Sequence, residues 1–264
     1  MSDAPENAEN ADVIVSAREL ERTYRGGVHA LRGVSFDVRR GSRFGVVGES
    51  GSGKSTVVRL LAALDRPTAG TIEFDGARID NLRERDLGFL RRRLQIVFQD
   101  PMGSLDPRMR VRDIISEPLG RARDRYDRVD ELLDAVGLPA DAARKYPHQF
   151  SGGQRQRISI ARALAPRPEV LIADEAVSAL DVLVRKQILD LLDRLAEQFS
   201  LTMVFVSHDL GVVRRVCDEV AVMRRGEIVE QGPVADVYDT PRAEYTRSLI
   251  AAAPTLDAVL SEKE

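Results

Sequence analysis

The sequence predicts an α/β fold with a mostly parallel sheet, interrupted by an inserted helical segment. Three observations predict it. Gly48-Glu49-Ser50-Gly51-Ser52-Gly53-Lys54-Ser55-Thr56 fits G-x-x-x-x-G-K-[S/T], the phosphate-binding-loop pattern. Its flanks are the ones the pattern needs: residues 43–47 form a short apolar run that reads as a buried strand, and residues 55–64 are apolar at helical spacing. Buried strands return at 94–98, 169–173 and 201–206, whereas residues 102–165 carry helical periodicity and no convincing strand.

The chemistry of the loop follows from its composition. Gly48, Gly51 and Gly53 let the backbone turn sharply, so that successive N–H groups point inward at an anion. The helix that starts there adds the positive end of its dipole. Lys54 is placed to reach β- and γ-phosphates, and the Ser55 hydroxyl to ligate Mg²⁺.

Composition limits the rest. The chain has 264 residues, 43% of them hydrophobic, enough for a sizeable core. A net charge of −3 does not suggest general nucleic-acid binding. The single cysteine, Cys217, excludes a disulfide framework and a thiolate metal site, and its apolar surroundings assign it a small buried role. No run of 18 apolar residues spans a membrane. Residues 1–12 are acidic, lack an apolar signal region and read as a disordered tail on a cytoplasmic protein.

In chain order, 13–17 reads as a first strand and 30–38 as a second. Tyr24 lies 24 residues before Gly48, and from spacing alone it is a half-buried strand aromatic. Residues 67–70 form a turn and 71–74 a short strand closed by Asp75-Gly76. The arginines of 83–93 are a solvated helical face, and the strand at 94–98 stops at Gln99-Asp100-Pro101. Amphipathic helices follow at 111–119, 127–136 and 154–164. Ser151-Gly152-Gly153-Gln154 opens the last of them, which is on its own a weak anion-site pattern.

The strand at 169–173 ends in Asp174-Glu175. Adjacent carboxylates resist burial, and beside a phosphate loop the first can hold Mg²⁺ through water while the second polarises an attacking water. A helix at 182–198 and a strand at 201–206 lead to His208. A lone histidine is usually structural, but this one ends a strand expected in the same parallel sheet, at its nucleotide edge. Residues 219–223 and 227–230 flank a hairpin turn, and two short helices follow Pro233.

With these residues placed, the chain resembles an ATP-binding cassette (ABC) ATPase from Val13 to about Gly232. Gly48 to Thr56 looks like Walker A, Gln99 like the Q-loop, and Ser151-Gly152-Gly153-Gln154 like the signature. Asp174 ends a Walker B-like strand 23 residues after Ser151, Ser178 to Asp181 looks like the D-loop, and His208 like the switch histidine. A finer resemblance is to the peptide/nickel importer subclass, carried by 98–108, 178–182, 187–192 and the tail Pro241-Arg242-Ala243-Glu244-Tyr245-Thr246, with Leu249 and Pro254. Ala176 departs from that subclass's usual proline. Ala243-Glu244 replaces its usual His-Pro, which leaves the docking of the tail open.

The resemblance implies a P-loop NTPase core with an N-terminal antiparallel β subdomain and a helical subdomain at about 100–165. The ATPase domain would cover 13–235, and 236–264 would be a C-terminal helical extension. It implies ATP and Mg²⁺ as cofactors, with Glu175, His208 and Lys54 catalytic. ATP would be held by Tyr24, stacked on adenine, by Gly48, Glu49, Ser50, Gly51, Ser52, Gly53, Lys54, Ser55, Thr56 and Gln99, and by Ser151, Gly152, Gly153 and Gln154. Ser55, Gln99 and Asp174 would hold the metal. The expected protein powers an importer of oligopeptides, dipeptides or related small solutes, as a peripheral protein on the cytoplasmic face of the membrane. Its expected partners are a second ATPase subunit, two transmembrane permease subunits and, indirectly, an extracytoplasmic solute-binding protein, with no nucleic acid. The alternative, a soluble cassette protein acting on ribosomes or DNA, is disfavoured by the lack of an internal repeat or heptad array. A plain phosphate-loop kinase is disfavoured by the signature and Glu175.

Overall fold

A computed structural model describes residues 12–252, which form two compact units: 12–88 with 202–252, and 89–201. Of the tail expected at 1–12, all but Asp12 lies outside the described residues, as does 253–264 of the expected C-terminal extension.

In the first unit, β1 (Val13–Tyr24) pairs antiparallel with β2 (Val28–Arg39) and with β4 (Ala69–Phe74), and β4 pairs with β5 (Ala77–Arg78), in the order β2-β1-β4-β5. β1 runs well past the expected end at Ala17. A bulge between Ala17 and Leu20 puts Arg18 and Glu19 both at the surface and breaks the alternation that marks a strand. Glu19 takes φ 47° there. The Ser35 hydroxyl holds the kink by accepting the Glu19 N–H (2.8 Å) and donating to the Glu19 carboxylate (2.9 Å).

The same unit contains β3 (Arg43–Val47), parallel both to β8 (Thr202–Ser207) and to β9 (Glu219–Arg224), with β10 (Glu227–Pro233) antiparallel to β9. β8 is buried at every position and β3 at four of its five, as expected for parallel strands covered on both faces. The Phe36 and Phe44 rings stack at 5.2 Å and join β2 to β3. Helix α1 (Lys54–Leu61) follows β3. Helix α8 (Leu210–Val216) follows β8 and was not expected. Its seven residues are too few for a periodic signal, although its Asp209 cap, accepting from Gly211 and Val212 N–H, is a readable start. Cys217, which ends α8, is buried. At the hairpin turn Arg225 and Gly226 both take positive φ (50° and 87°), as a two-residue turn between twisted strands requires.

Two short helices close this unit, α9 (Val234–Asp239) and α10 (Glu244–Ala252). The tail docks despite Ala243-Glu244. Its anchor is backbone: the Glu230 carboxylate accepts N–H bonds from Arg242 (2.8 Å) and Ala243 (3.1 Å), while Tyr245 and Thr246 are buried.

In the second unit, α2 (Gly88–Arg93) precedes β6 (Leu94–Val97), which pairs in parallel with β7 (Val170–Asp174), Leu94 opposite Val170 through Val97 opposite Ala173. Arg93 and Glu169 bind the two strand starts by side chain and by the Glu169 N–H to Arg93 carbonyl bond (2.8 Å). Between them lie α3 (Pro101–Ser104), α4 (Val111–Ser116), α5 (Arg125–Ala135) and α6 (Gly152–Leu164). α7 (Val182–Phe199) follows β7. Arg128 is buried and held at its two outer nitrogens: Nη2 donates to the Leu164 carbonyl (3.0 Å), Nη1 pairs with Glu131 (2.5 Å), and the guanidinium lies over the Phe199 ring.

Glu230 sets a pH dependence for α10. Burial raises its pKa, but the hydrogen bonds it accepts, those of the Arg242 and Ala243 N–H groups among them, together with the Arg242 charge outweigh this and leave it below its ordinary value. A lowered carboxylate pKa gives stabilisation that is present above the ordinary range and lost as pH falls through the folded value. Glu230→Ala should therefore weaken docking of α10 at neutral pH by about 1–2 kcal/mol, the scale of a hydrogen bond to a charged group discounted for partial exposure. Amide exchange in α10 should speed up, and the difference from wild type should shrink in acid.

Candidate nucleotide-binding and hydrolysis site

The phosphate loop joins β3 to α1 in the first unit. Its glycines are required by close approach. A Cβ on Gly48 would lie 2.2 Å from the Met223 carbonyl oxygen, and one on Gly53, which holds φ 111° at the helix cap, 2.7 Å from that of Ala30. The Gly226 N–H donates to the Ser52 carbonyl (2.9 Å), so the β9–β10 turn braces the loop. Lys54 is buried, and its ammonium donates to the carbonyls of Gly48 (2.6 Å) and Glu49 (3.0 Å). The Ser52 hydroxyl is buried without a hydrogen-bond partner, a costly arrangement that a phosphate oxygen would relieve. Glu49, Ser50, Gly51 and Ser55 are exposed, and Gly53 and Thr56 half-buried. A fixed cation, an unsatisfied hydroxyl and a helix start fit a nucleotide's phosphates.

Tyr24 ends β1 in the same unit. Its hydroxyl donates to Asp65 Oδ2 (3.1 Å), and the Arg22 guanidinium lies 4.6 Å from its ring centroid. Arg22 in turn holds Asp65 with two bonds, Nε to Oδ2 at 3.0 Å and Nη2 to Oδ1 at 2.7 Å. The ring is thus fixed along its edge and backed on one face. Sequence reasoning did not include Arg22 or Asp65. Arg22 shares the Tyr24 face of the strand by the period of two, a readable signal; Asp65 lies 41 residues away and gives none. His208, also in this unit, is exposed one residue beyond β8. The Ser207 hydroxyl accepts the Asp209 N–H (2.9 Å) and shapes that turn.

The second unit carries the other predicted residues. Asp174 closes β7 and Glu175 follows it, both half-buried. Glu175 takes φ 47°, a left-handed conformation uncommon for a non-glycine residue and one that turns its side chain out of the strand's course. The turn is fastened by Ser178, whose N–H (3.1 Å) and hydroxyl (3.0 Å) both donate to the Glu175 carbonyl, while Asp181 caps α7 through the Val184 N–H (3.0 Å). Gln99 is exposed just after β6. Gln156 of α6, which sequence reasoning passed over, is buried and reaches the Phe98 carbonyl at 3.5 Å, and Arg162 of α6 donates to the Ser104 carbonyl at 2.8 Å. The α6 helix therefore braces the chain on both sides of Gln99.

Ser151 caps α6. Its Oγ accepts the Gln154 N–H (3.3 Å), and the Gln154 side chain accepts the Ser151 N–H (3.0 Å), a reciprocal capping box. Ser151, Gly152 and Gln154 are exposed and Gly153 is half-buried.

A phosphate loop between a parallel strand and its helix, with a carboxylate pair ending another parallel strand, defines a P-loop NTPase. The family model described as "ABC transporter" matches residues 31–178, more than half of the chain. The chain belongs to the ABC transporter family. It is 45% identical over 263 residues to the oligopeptide transport ATP-binding protein AppF of Bacillus subtilis, covering 94% of this chain and 80% of that one. It is 47% identical to the oligopeptide transport ATP-binding protein OppD of Mycobacterium tuberculosis, covering 94% of this chain but only 43% of the relative's length. Among solved structures it is similar to cbiO1 of Clostridium perfringens, part of the ABC transporter complex cbiONQ (TM-score 0.80, 30% identity, 95% of this chain and 99% of that one). It is also similar to the cassette MJ0796 in a dimeric post-hydrolysis state bound to ADP and Pi (TM-score 0.75, 31% identity, 83% and 98% covered).

If adenine stacks on the Tyr24 ring, as the resemblance implies, three substitutions in this cluster fall in a definite order of ATP affinity. Tyr24→Ala removes the ring and should cost about 1–3 kcal/mol, the scale of one base–aromatic stack. Tyr24→Phe keeps the ring, and Asp65 keeps its two bonds from Arg22, so the loss should stay below about 1 kcal/mol. Asp65→Ala releases both Arg22 and Tyr24 and should fall between the two. Calorimetric titration with a non-hydrolysable ATP analogue checks the order.

Proposed function

We propose that the chain is the ATP-hydrolysing subunit of an importer in the cytoplasmic membrane, carrying oligopeptides, dipeptides or related small solutes. The observation that carries this reading is the Lys54 phosphate loop in a chain 45% identical to an oligopeptide transport ATP-binding protein over 80% of that protein's length. Among the described residues no helix is long and apolar enough to cross a membrane, which fits a peripheral subunit working with two transmembrane permease subunits. A solute-binding protein outside the membrane would deliver the cargo, and the cargo would not touch this chain.

Lys54 would exchange its two loop carbonyls for phosphate oxygens, and the Ser52 hydroxyl would gain the partner it lacks. Ser55, Asp174 and Gln99 would hold Mg²⁺, a hard cation suited to hydroxyl, carboxylate and amide oxygens. Mg²⁺ supplies charge neutralisation of the phosphates when bound. Glu175 would take the proton of the attacking water, and His208 would contact the γ-phosphate. Ser151, Gly152, Gly153 and Gln154 would face the nucleotide of a second ATPase subunit, the same chain or another, in a head-to-tail pair.

Glu175→Gln keeps size and hydrogen bonding but removes the base, so ATP turnover should fall about 10²–10⁴-fold while ATP binding persists. Near-normal turnover would refute the assignment. Mixing inactive Lys54→Ala and Ser151→Arg chains places both lesions on one composite site and leaves the other intact. Steady-state ATPase assays of the mixture should recover activity. Recovery would not occur if Ser151 served the nucleotide of its own chain.

A further inference from the structure

We infer that Tyr245, on the C-terminal helix, is a positioning residue for the phosphate loop, fixing one peptide of that loop and thereby nucleotide affinity. The inference rests on the nucleotide reading of the loop proposed above. The Glu49 N–H donates to the Tyr245 hydroxyl oxygen at 3.1 Å, across 196 residues of sequence. The Gly48 carbonyl accepts from the Lys54 ammonium at 2.6 Å. These two groups belong to one peptide unit, whose planarity makes its C=O and N–H point in opposite directions. Lys54 therefore grips one side of the Gly48–Glu49 peptide and Tyr245 the other.

That arrangement matters when the nucleotide arrives. If Lys54 turns to the phosphates, its hold on the Gly48 carbonyl is released, and the hydroxyl of Tyr245 remains to keep the peptide from rotating. The hydroxyl is itself well placed. Tyr245 is 8% exposed, and the Arg224 guanidinium lies 4.8 Å from its ring centroid. The start of α10 is pinned by Glu230, and Thr246 is fully buried. A small pocket of about 230 Å³ is bordered by loop residues 49–52, Arg224, Arg225 and Tyr245. The Glu49–Tyr245 bond joins two residues of that pocket's wall.

The test is Tyr245→Phe, which keeps the ring against Arg224 and deletes only the hydroxyl, with Lys54→Ala as the control for phosphate binding. Tyr245→Phe should weaken ATP binding about three- to tenfold, the equivalent of one hydrogen bond of ~1 kcal/mol. Turnover at saturating ATP should be unchanged, so KM moves and kcat does not. Amide exchange in the nucleotide-free protein should quicken at Glu49 and stay at the wild-type rate through α10. ATP affinity and Glu49 exchange both at wild-type values, with Lys54→Ala defective, would overturn the role of Tyr245 alone. Exchange quickened throughout α10 would make Tyr245 a docking residue and overturn the positioning role as well. Equal ATP binding by wild type and Lys54→Ala would instead overturn the phosphate-loop reading on which the inference rests.

Discussion

The buried ammonium of Lys54 is the constraint on which the first unit depends. A charge taken from water needs compensation of several kcal/mol, and here backbone carbonyls provide it. Gly48 and Glu49 can turn their carbonyls onto the ammonium only if the chain leaves β3 at a sharp angle, and that angle leaves no room for a Cβ beside the Met223 carbonyl. Met223 lies on β9, so the parallel pairing of β3 with β9 is part of the same constraint. The loop is not a flexible glycine tract laid over a finished fold. Strand pairing, hairpin turn and loop shape specify one another, and the result is a fixed cation at a helix start.

The parts of the chain that were readable are those where local pattern and global role coincide. β3 and the loop met every condition at once: a buried apolar run, glycines at the turn and a helix beyond. The continuation of β1 past Ala17 was hidden because a bulge exposes two consecutive residues, and strand reading depends on strict alternation. α8 was missed because two turns of helix give too few positions for a period. The site divides in the same way. Lys54 is visible because it completes the glycine-rich loop pattern at a helix start, and Gln99, Asp174 and Glu175 because each stands at or just past the end of a strand. Asp65 and Tyr245 act through side-chain bonds to Tyr24 and Glu49, 41 and 196 positions away, and one sequence carries no record of such pairings.

The tail illustrates how a departure from a motif can be harmless. Ala243-Glu244 stands where the related subclass has other residues, but the side chains at those two positions do not carry the docking. The anchoring groups are instead the N–H groups of Arg242 and Ala243 on Glu230, which almost any residue can supply. The specific side chains, Tyr245 and Thr246, are the ones the motif retains.

Ser151 raises the question of whether one residue can serve both its own helix and a bound anion. Its Oγ already accepts the Gln154 N–H, and the Gln154 side chain already accepts the Ser151 N–H. A hydroxyl has one proton to donate besides its two lone pairs, so capping the helix uses acceptance and leaves donation. The capping box satisfies the N–H groups of Ser151 and Gln154, whereas those of Gly152 and Gly153, in the first turn, have no acceptor within the helix. Capping therefore fixes the Ser151 rotamer and points three donors outward from the start of a 13-residue helix, in line with its dipole. The local stabilising interaction and the capacity to meet a phosphate are the same geometry. That is why a small-residue turn with glutamine at the third helical position can be both an ordinary cap and a set of donors open to an anion.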